Sequence, residues 1–132
     1  MLEEFATKLT KDLELKEPLT MVDGSCALLL DETTVTISEA QAGFQLTASL
    51  GEPPSEQIEL FMGKMLRGNL FAQATSGSIL GLDETGAKII LRYYQPTKST
   101  YRDFKDKLED FLNMIDFWKQ EIASHQANPI AP

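Results

Sequence analysis

The 132-residue chain has very few of the side chains on which most catalytic and metal sites depend. Its single cysteine, Cys26, cannot form an internal disulfide or a cysteine zinc site, and its single histidine, His125, argues against a histidine triad or a multi-histidine metal site. Basic residues are also scarce, because 12 of them against 20 acidic residues give a formal net charge of -8. This balance argues against nucleic-acid binding, which needs a basic face, and against docking on an anionic membrane.

Long hydrophobic runs are missing as well. The longest uninterrupted one is Cys26–Leu30, far short of the roughly 18 apolar residues that a membrane span requires. The N-terminal segment Met1–Glu4 is acidic where a signal peptide would be basic. We therefore expect a soluble protein of a reducing compartment, without membrane insertion.

The residues that are present fit one globular domain. Hydrophobic residues make up 42% and charged residues 24% of the chain, both close to globular averages, and the length suits a single core. The first segment carries an apolar stripe at helical spacing, and Pro18 should end that helix at or before Glu17. The stripe consists of Leu2, Phe5, Leu9 and Leu13.

Three short strands should follow this helix. The apolar run Cys26–Leu30, the β-branched segment Thr33–Ser38 and the alternating segment Phe44–Leu50 are separated by turn residues. Short strands with such short connections are typical of an antiparallel meander.

A second helix should begin after the break at 51–55, with Ser55 as its candidate N-cap. It either ends at Gly68-Asn69 or continues through Leu70. The segments 79–82 and 87–94 are then predicted as a hairpin of two strands. The apolar face of the second helix contains Ile58, Phe61, Met62, Met65, Leu66 and Leu70.

The last helix has the clearest pattern, because an apolar stripe runs from Tyr101 to Ile122 behind a cap at Ser99 or Thr100. The order α-β-β-β-α-β-β-α predicts a single α+β domain over residues 1–123, with helices packed on an antiparallel sheet. The polar, proline-punctuated residues 124–132 are expected to form a flexible tail.

A search for reactive groups predicts no catalytic residue, metal ligand or cofactor site. Cys26 lies in the most apolar strand without a neighbouring base, so we interpret it as a core residue. His125 falls in the predicted tail, without a framework to orient its ring. The carboxylate pairs Asp31-Glu32 and Asp83-Glu84 are interpreted as solvated turns, and no calcium-loop or phosphate-loop spacing is present.

Apolar surface is the remaining clue to function. The second helix combines Phe61, Met62 and Met65 with an internal Gly63, and its apolar stripe is wider than one small sheet would cover. Flexible methionines suit adaptable contacts, so this stripe predicts self-association as well as core packing. The stripe of the first helix is either part of the core or the border of a groove for a partner.

Two segments near the centre of the chain give a more specific indication. Leu66–Phe71 ends in Asn-Leu-Phe, and Ser76–Glu84 contains a glycine loop followed by Leu-Gly-Leu-Asp-Glu. This pattern resembles the signature of the class I type III secretion chaperones, the Tir-chaperone family. The element order, size, acidic balance and long final helix with Trp118 are similar too.

The resemblance implies a cytoplasmic bacterial homodimer without enzymatic activity and without a cofactor. Such chaperones bind the non-globular N-terminal segment of a secreted effector and keep it secretion-competent. In that family the dimer contacts come largely from the middle helix and neighbouring strands, which points here to Ile58, Phe61, Met62, Met65, Leu66, Leu80 and Leu82. Effector contacts come from apolar patches on the first helix and the sheet, for which the candidates here are Phe5, Leu9, Leu13, Val35, Ile37, Phe44 and Leu46, some of them core residues instead.

Two alternatives stay open at this point. A regulatory protein on the same scaffold could sequester a regulator of secretion gene expression, and the sequence does not separate it from an effector chaperone. An enzyme or small-ligand protein of an unrelated α+β fold would need a deep, polar-lined cavity, for which the apolar faces supply few polar groups.

Overall fold

The computed structural model describes residues 2–70 and 77–127. It contains three helices and five strands in the predicted order, which confirms the α+β assignment. The first part of the predicted glycine loop, residues 71–76, and the tail residues 128–132 lie outside the described residues. The elements are α1 (Leu2–Asp12), β1 (Ser25–Leu30), β2 (Thr33–Ala40), β3 (Gly43–Gly51), α2 (Ile58–Leu70), β4 (Ile79–Leu82), β5 (Ile89–Gln95) and α3 (Tyr101–Ala127).

The five strands form one antiparallel sheet in the order β1-β2-β3-β5-β4. The first three strands make the predicted meander, and the β4–β5 hairpin joins it through β5. The sheet therefore has two edges, β1 at one end and β4 at the other. Because side chains alternate between faces along a strand, one face carries the apolar set, and the other is mixed, with serine, threonine and glutamine at its centre and Leu29, Ile79 and Ile90 towards its edges.

The core lies between the apolar face of the sheet and the helices α1 and α3. Phe44 of β3 meets Phe104 of α3 edge to face, with ring centroids 5.0 Å apart, and Phe5 of α1 lies 5.1 Å from the same Phe104 ring. The apolar face of α3 continues this contact along the sheet through Leu108, Phe111, Ile115, Trp118 and Ile122, which are all buried.

The start of β3 requires a glycine, because it passes unusually close to β5. A Cβ atom on Gly43 would lie 1.7 Å from the backbone oxygen of Gln95. Strands β3 and β5 are paired to their ends at this point, with Phe44 opposite Gln95. Any side chain at position 43 would push these two central strands apart.

The helix starts agree with the sequence for α3 but differ for α2. The backbone N–H of Asp103 donates to Thr100 Oγ1 at 3.1 Å, so Thr100 is the predicted cap of α3. Helix α2 starts at Ile58 rather than after Ser55, because Gln57 adopts a left-handed backbone (φ 50°) and its carbonyl accepts the N–H groups of Leu60 and Phe61. The predicted Ser55 cap is therefore wrong.

The final helix is longer than the sequence indicated. It continues to Ala127, so residues 124–127, which were predicted as part of a flexible tail, are helical. His125 is buried there against Phe61 of α2, and its Nε2 lies 2.9 Å from the carbonyl oxygen of Glu56. A carbonyl only accepts, so Nε2 carries the proton. His125 thus lies one turn after Ile122 on the buried face of α3. Phe61 and the Glu56 carbonyl orient its ring, which the sequence alone did not indicate.

Candidate partner-binding surfaces

The β1 edge of the sheet offers open backbone groups. Ser25 exchanges two backbone hydrogen bonds with Val22, at 3.1 and 2.8 Å, so the backbone of Ser25 points away from β2. Since hydrogen-bonding direction alternates along an antiparallel strand, the N–H and C=O groups of Ala27 and Leu29 point outward too. In the part of the chain that the structure describes, no backbone partner meets them.

A groove runs along this edge between β1 and the connection that follows α1. It has a volume of about 240 Å³ and is lined by residues 15–20 on one side and by Ala27, Leu28 and Leu29 on the other. The connection is anchored to α1, because the N–H of Leu19 donates to Thr10 Oγ1 at 2.9 Å. The side chain of Leu29 is 65% exposed beside the groove. An apolar side chain and free backbone groups thus occur together at this edge.

The opposite edge of the sheet is covered at its centre. Asn69, in the last turn of α2, donates from Nδ2 to the carbonyl oxygen of Leu80 and accepts the N–H of Leu80 with Oδ1, both at 2.8 Å. These two bonds use the outward backbone groups of the middle of β4. They also explain why the Asn-Leu-Phe and Leu-Gly-Leu-Asp-Glu segments occur together in the sequence, because one residue of each forms the contact.

A third surface is a wide cleft between the β1–β2 turn and the middle of α3. It has a volume of about 690 Å³, and Leu30, Leu112 and Ile115 contribute its apolar lining. Its polar lining consists of Asp31, Glu32, Thr33, Asp116 and Lys119, with the Lys119 ammonium group donating to Thr33 Oγ1. Three carboxylates against one lysine make this cleft acidic.

The seven residues predicted for effector contacts lie mostly inside the protomer. Leu13, just beyond the end of α1, is 37% exposed. The other six, Phe5, Leu9, Val35, Ile37, Phe44 and Leu46, are buried in the core. The sequence did not single out Ala27 and Leu29, although their alternation with the buried Cys26 and Leu28 was visible in the apolar run.

The residues predicted for the dimer contact divide into buried and accessible positions. Phe61, Met65 and Leu80 are buried in the protomer, whereas Ile58 and Met62 are half-buried. Leu66 is 68% exposed, and Leu82 is exposed as well. Two further exposed apolar residues on the same elements, Leu60 and Ile79, were not predicted. Several apolar side chains of α2 and β4 are therefore uncovered within one protomer, alongside the charged Glu59 and Arg67 of the helix.

Polar contacts at the other end of the molecule tie α1 to α3. The Tyr101 hydroxyl donates to Asp12 Oδ2 at 2.6 Å, and Lys105 Nζ lies 3.4 Å from the same oxygen. The Tyr101 hydrogen bond, assisted by the Lys105 charge, lowers the pKa of Asp12, while burial and the hydrogen bond to Asp12 raise the pKa of Tyr101. We define these three side chains as the α1–α3 clasp.

The cysteine of the chain is part of the core. Cys26 is buried, and burial raises the pKa of its thiol, which disfavours the reactive thiolate. Within residues 2–70 and 77–127, no group of three or more histidine, cysteine, aspartate or glutamate side chains is placed to hold a metal ion. None of the helices in these residues is long and apolar enough to cross a membrane.

The described residues thus form an α+β scaffold with open backbone groups along β1 and exposed apolar side chains on α2. The chain belongs to the Tir chaperone protein (CesT) family, whose sequence profile matches residues 1–119. It is therefore a member of a type III secretion chaperone family, as the signature residues indicated. It is also 33% identical over 127 residues to the Chlamydia pneumoniae protein CPj0713/CpB0740, an alignment that covers 92% of this chain and 93% of that protein.

Solved structures share the fold at low sequence identity. A chain of the HopA1–SchA chaperone–effector complex is 22% identical, with a TM-score of 0.71 over 90% of this chain and 93% of that one. A chain of the ExsC–ExsE complex is 19% identical, with a TM-score of 0.73 over 92% of both chains. The Yersinia pestis type III secretion chaperone SycH, in complex with a fragment of YscM2, is 15% identical, with a TM-score of 0.67 over 89% of this chain and 98% of the matched one.

Proposed function

We propose that this protein is a cytoplasmic bacterial chaperone that binds the non-globular N-terminal segment of a secreted effector and keeps it soluble and secretion-competent. The observation that carries the proposal is the open β1 edge beside its groove. An extended segment can add its backbone to such an edge while its side chains enter the neighbouring groove. Membership of the type III secretion chaperone family supports the same role.

The energetics of this binding mode favour a large contact rather than a deep pocket. Ordering a disordered segment costs several kcal/mol, so the segment must contact much surface to bind tightly. The β1 edge and the acidic cleft border the same β1 strand, because Leu29 lines the groove and Leu30 lines the cleft. A segment that pairs with β1 and continues past the turn would place basic side chains in the cleft.

A homodimer is the second part of the proposal. Exposed apolar residues on α2, of which Leu66 is the most exposed, leave part of the helix surface in contact with water in one protomer. Contact of this face with the same face of a second copy would cover it in a twofold arrangement. Two chaperone protomers would then present two β1 edges to a secreted protein.

The regulatory alternative uses the same surface. The fold is shared with the ExsC–ExsE complex as well as with a chaperone–effector complex, and an open strand edge accepts an extended segment of either kind of partner. The identity of the partner therefore separates the two functions.

The test replaces Leu29 with proline. This change removes an outward N–H from β1 without removing a bond to β2, and the ring obstructs an added strand. Tagged protein is used to capture partners from the native cell, which are identified by mass spectrometry. A peptide of the captured segment is then titrated against the wild type, Leu29→Pro and the control Leu29→Ala, which keeps the N–H.

We expect capture of a secreted protein and at least a tenfold loss of peptide affinity in Leu29→Pro, with a smaller loss in Leu29→Ala. Capture of a regulator without any secreted protein would reject the effector function in favour of the alternative. Equal affinities for the wild type and Leu29→Pro would show that the partner does not use the β1 edge.

A further inference from the structure

We propose that Asn69 closes the β4 edge of the sheet and thereby confines strand addition to the β1 edge. This inference rests on the proposed function, in which an extended segment joins the sheet. In this inference, a single side chain determines which of the two sheet edges accepts an added strand.

The geometry of Asn69 matches that of a neighbouring strand. Its side-chain amide has one donor and one acceptor, as a peptide group has, and both meet the backbone of Leu80 at 2.8 Å. The residues on either side of Leu80, Ile79 and Gly81, lie opposite Arg92 and Ile90 of β5. Because hydrogen-bonding direction alternates along the strand, the groups of Leu80 and Leu82 point outward. Asn69 occupies both groups of Leu80, which leaves only those of Leu82 open.

The β4 edge is only four residues long, but its sequence is of a kind that pairs readily with other strands. Its sequence is Ile-Leu-Gly-Leu, without a charge or a proline, and Ile79 is 61% exposed. Uncharged apolar edges with open backbone groups pair readily with other strands, and natural proteins use charges, prolines or covering elements to prevent this. Here α2 covers the edge, and Asn69 supplies the hydrogen bonds that water or a foreign strand would otherwise make.

The β1 edge is covered less completely. The outward groups of Ser25 are bonded to the backbone of Val22, but those of Ala27 and Leu29 have no backbone partner among the described residues. The β1 edge therefore leaves two successive outward residues open, whereas Asn69 reduces the open residues of β4 to Leu82, next to the hairpin turn. Because of this difference, an extended chain should add to the sheet at β1 rather than at β4.

The test uses Asn69→Leu, which keeps the approximate shape and removes both hydrogen bonds. We expect amide hydrogen exchange at Leu80 to accelerate at least tenfold. We also expect sedimentation velocity to show a concentration-dependent species larger than the wild-type particle, because the freed edges pair. Adding Ile79→Lys, a charge on the exposed side of β4, should remove the larger species without restoring the protection of Leu80.

A folded Asn69→Leu protein, checked by circular dichroism, that sediments like the wild type up to several hundred micromolar would overturn the proposal. If Asn69→Leu does not fold, Asn69→Ala serves in its place, because it also removes both hydrogen bonds and introduces no larger side chain. Wild-type sedimentation of this folded variant would then overturn the proposal in the same way.

Failure of the proposed function is measured separately. Partner capture by the wild type depends on the β1 edge, whereas the sedimentation of Asn69→Leu depends on the β4 edge and needs no partner. A wild type that captures nothing would thus reject the chaperone role, and unchanged sedimentation of the variant would reject the role of Asn69.

Discussion

Helices α1 and α2 carry similar apolar stripes in the sequence, but the fold uses them differently. The stripe of α1 is internal within the helix, since Leu2, Phe5 and Leu9 are buried, and Leu13, its exposed member, follows the end of the helix. The stripe of α2 is divided within the helix, because Phe61 and Met65 are buried whereas Leu66 is exposed. Two helices with the same periodicity therefore have different amounts of apolar surface left for a partner.

The difference follows from where each helix lies. Helix α1 packs against α3, where the Phe5 ring lies 5.7 Å from the ring of Tyr101 and 5.1 Å from that of Phe104. Helix α2 lies beside β4 at the end of the sheet, where Asn69 holds it to Leu80. Helix α2 contacts β4 and the end of α3, and the part of its wide stripe that faces neither of them stays in water. Apolar periodicity thus predicts a helix but does not say how much of its stripe is core.

The largest effect should come from breaking the internal stripe of α1. Leu9 is 1% exposed, so Leu9→Ala leaves a cavity and should lower the free energy of unfolding by about 2–5 kcal/mol. Chemical denaturation followed by circular dichroism measures the change. Leu13→Ala, one turn further on at a position that is 37% exposed, is the matched control.

Leu13→Ala should cost clearly less than Leu9→Ala, because more than a third of the Leu13 side chain stays in water in the folded protein. Equal losses in the two variants would contradict the assignment of the α1 stripe to the core. They would also reopen α1 as a helix whose apolar face contacts a partner.

The sequence was sufficient for the element order because each element carries its own local signal. The helical stripes, the β-branched strand and the Thr100 cap all depend on residues a few positions apart. The end of α3 was harder, because residues 124–127 have no strong apolar pattern. His125 is placed there by Phe61 and Glu56 of a distant segment, a contact that no local pattern reveals.

The candidate surfaces were less predictable because they depend on strand order and on hydrogen-bonding direction. An alternating or apolar strand has the same sequence pattern at the centre and at the edge of a sheet. The pattern therefore did not show that Val35 is buried whereas Leu29 is exposed at an edge. The signature containing Asn69 was visible, but its pairing with Leu80 joins positions eleven residues apart. Only the folded arrangement of α2 and β4 shows what the asparagine does.

The exposed half of the α2 stripe gives the second test. Leu66→Asp places a charge in the proposed dimer contact and should weaken self-association at least a hundredfold, while the protomer stays folded because the side chain is mostly in water. Sedimentation velocity or light scattering gives the mass of the particle. Leu29→Asp is the matched control, because Leu29 is almost equally exposed but lies at the β1 edge.

The control should retain the mass of the wild type. If Leu66→Asp also keeps that mass, and the wild type is a dimer, the outer face of α2 is not the dimer contact. If the wild type is a monomer at all accessible concentrations, the homodimer proposal itself fails.

The smallest effect concerns the α1–α3 clasp and should appear only at the extremes of pH. Because Asp12 has a lowered pKa in the folded state, its contribution to stability is present above its unfolded pKa of about 3.9 and is lost as the pH falls through the folded value. Tyr101 has a raised pKa, so its contribution is complete below its unfolded pKa of about 10 and is lost as the pH rises further. Tyr101→Phe removes both effects. The difference in unfolding free energy between the wild type and Tyr101→Phe should be constant from about pH 5 to pH 9 and should shrink below pH 4 and above pH 10.

Tyr94→Phe, at an exposed tyrosine on the open face of the sheet, is the control, and its difference in unfolding free energy from the wild type should not shrink in this way. A constant difference for Tyr101→Phe across the whole range would mean that α1 is held by its apolar stripe alone.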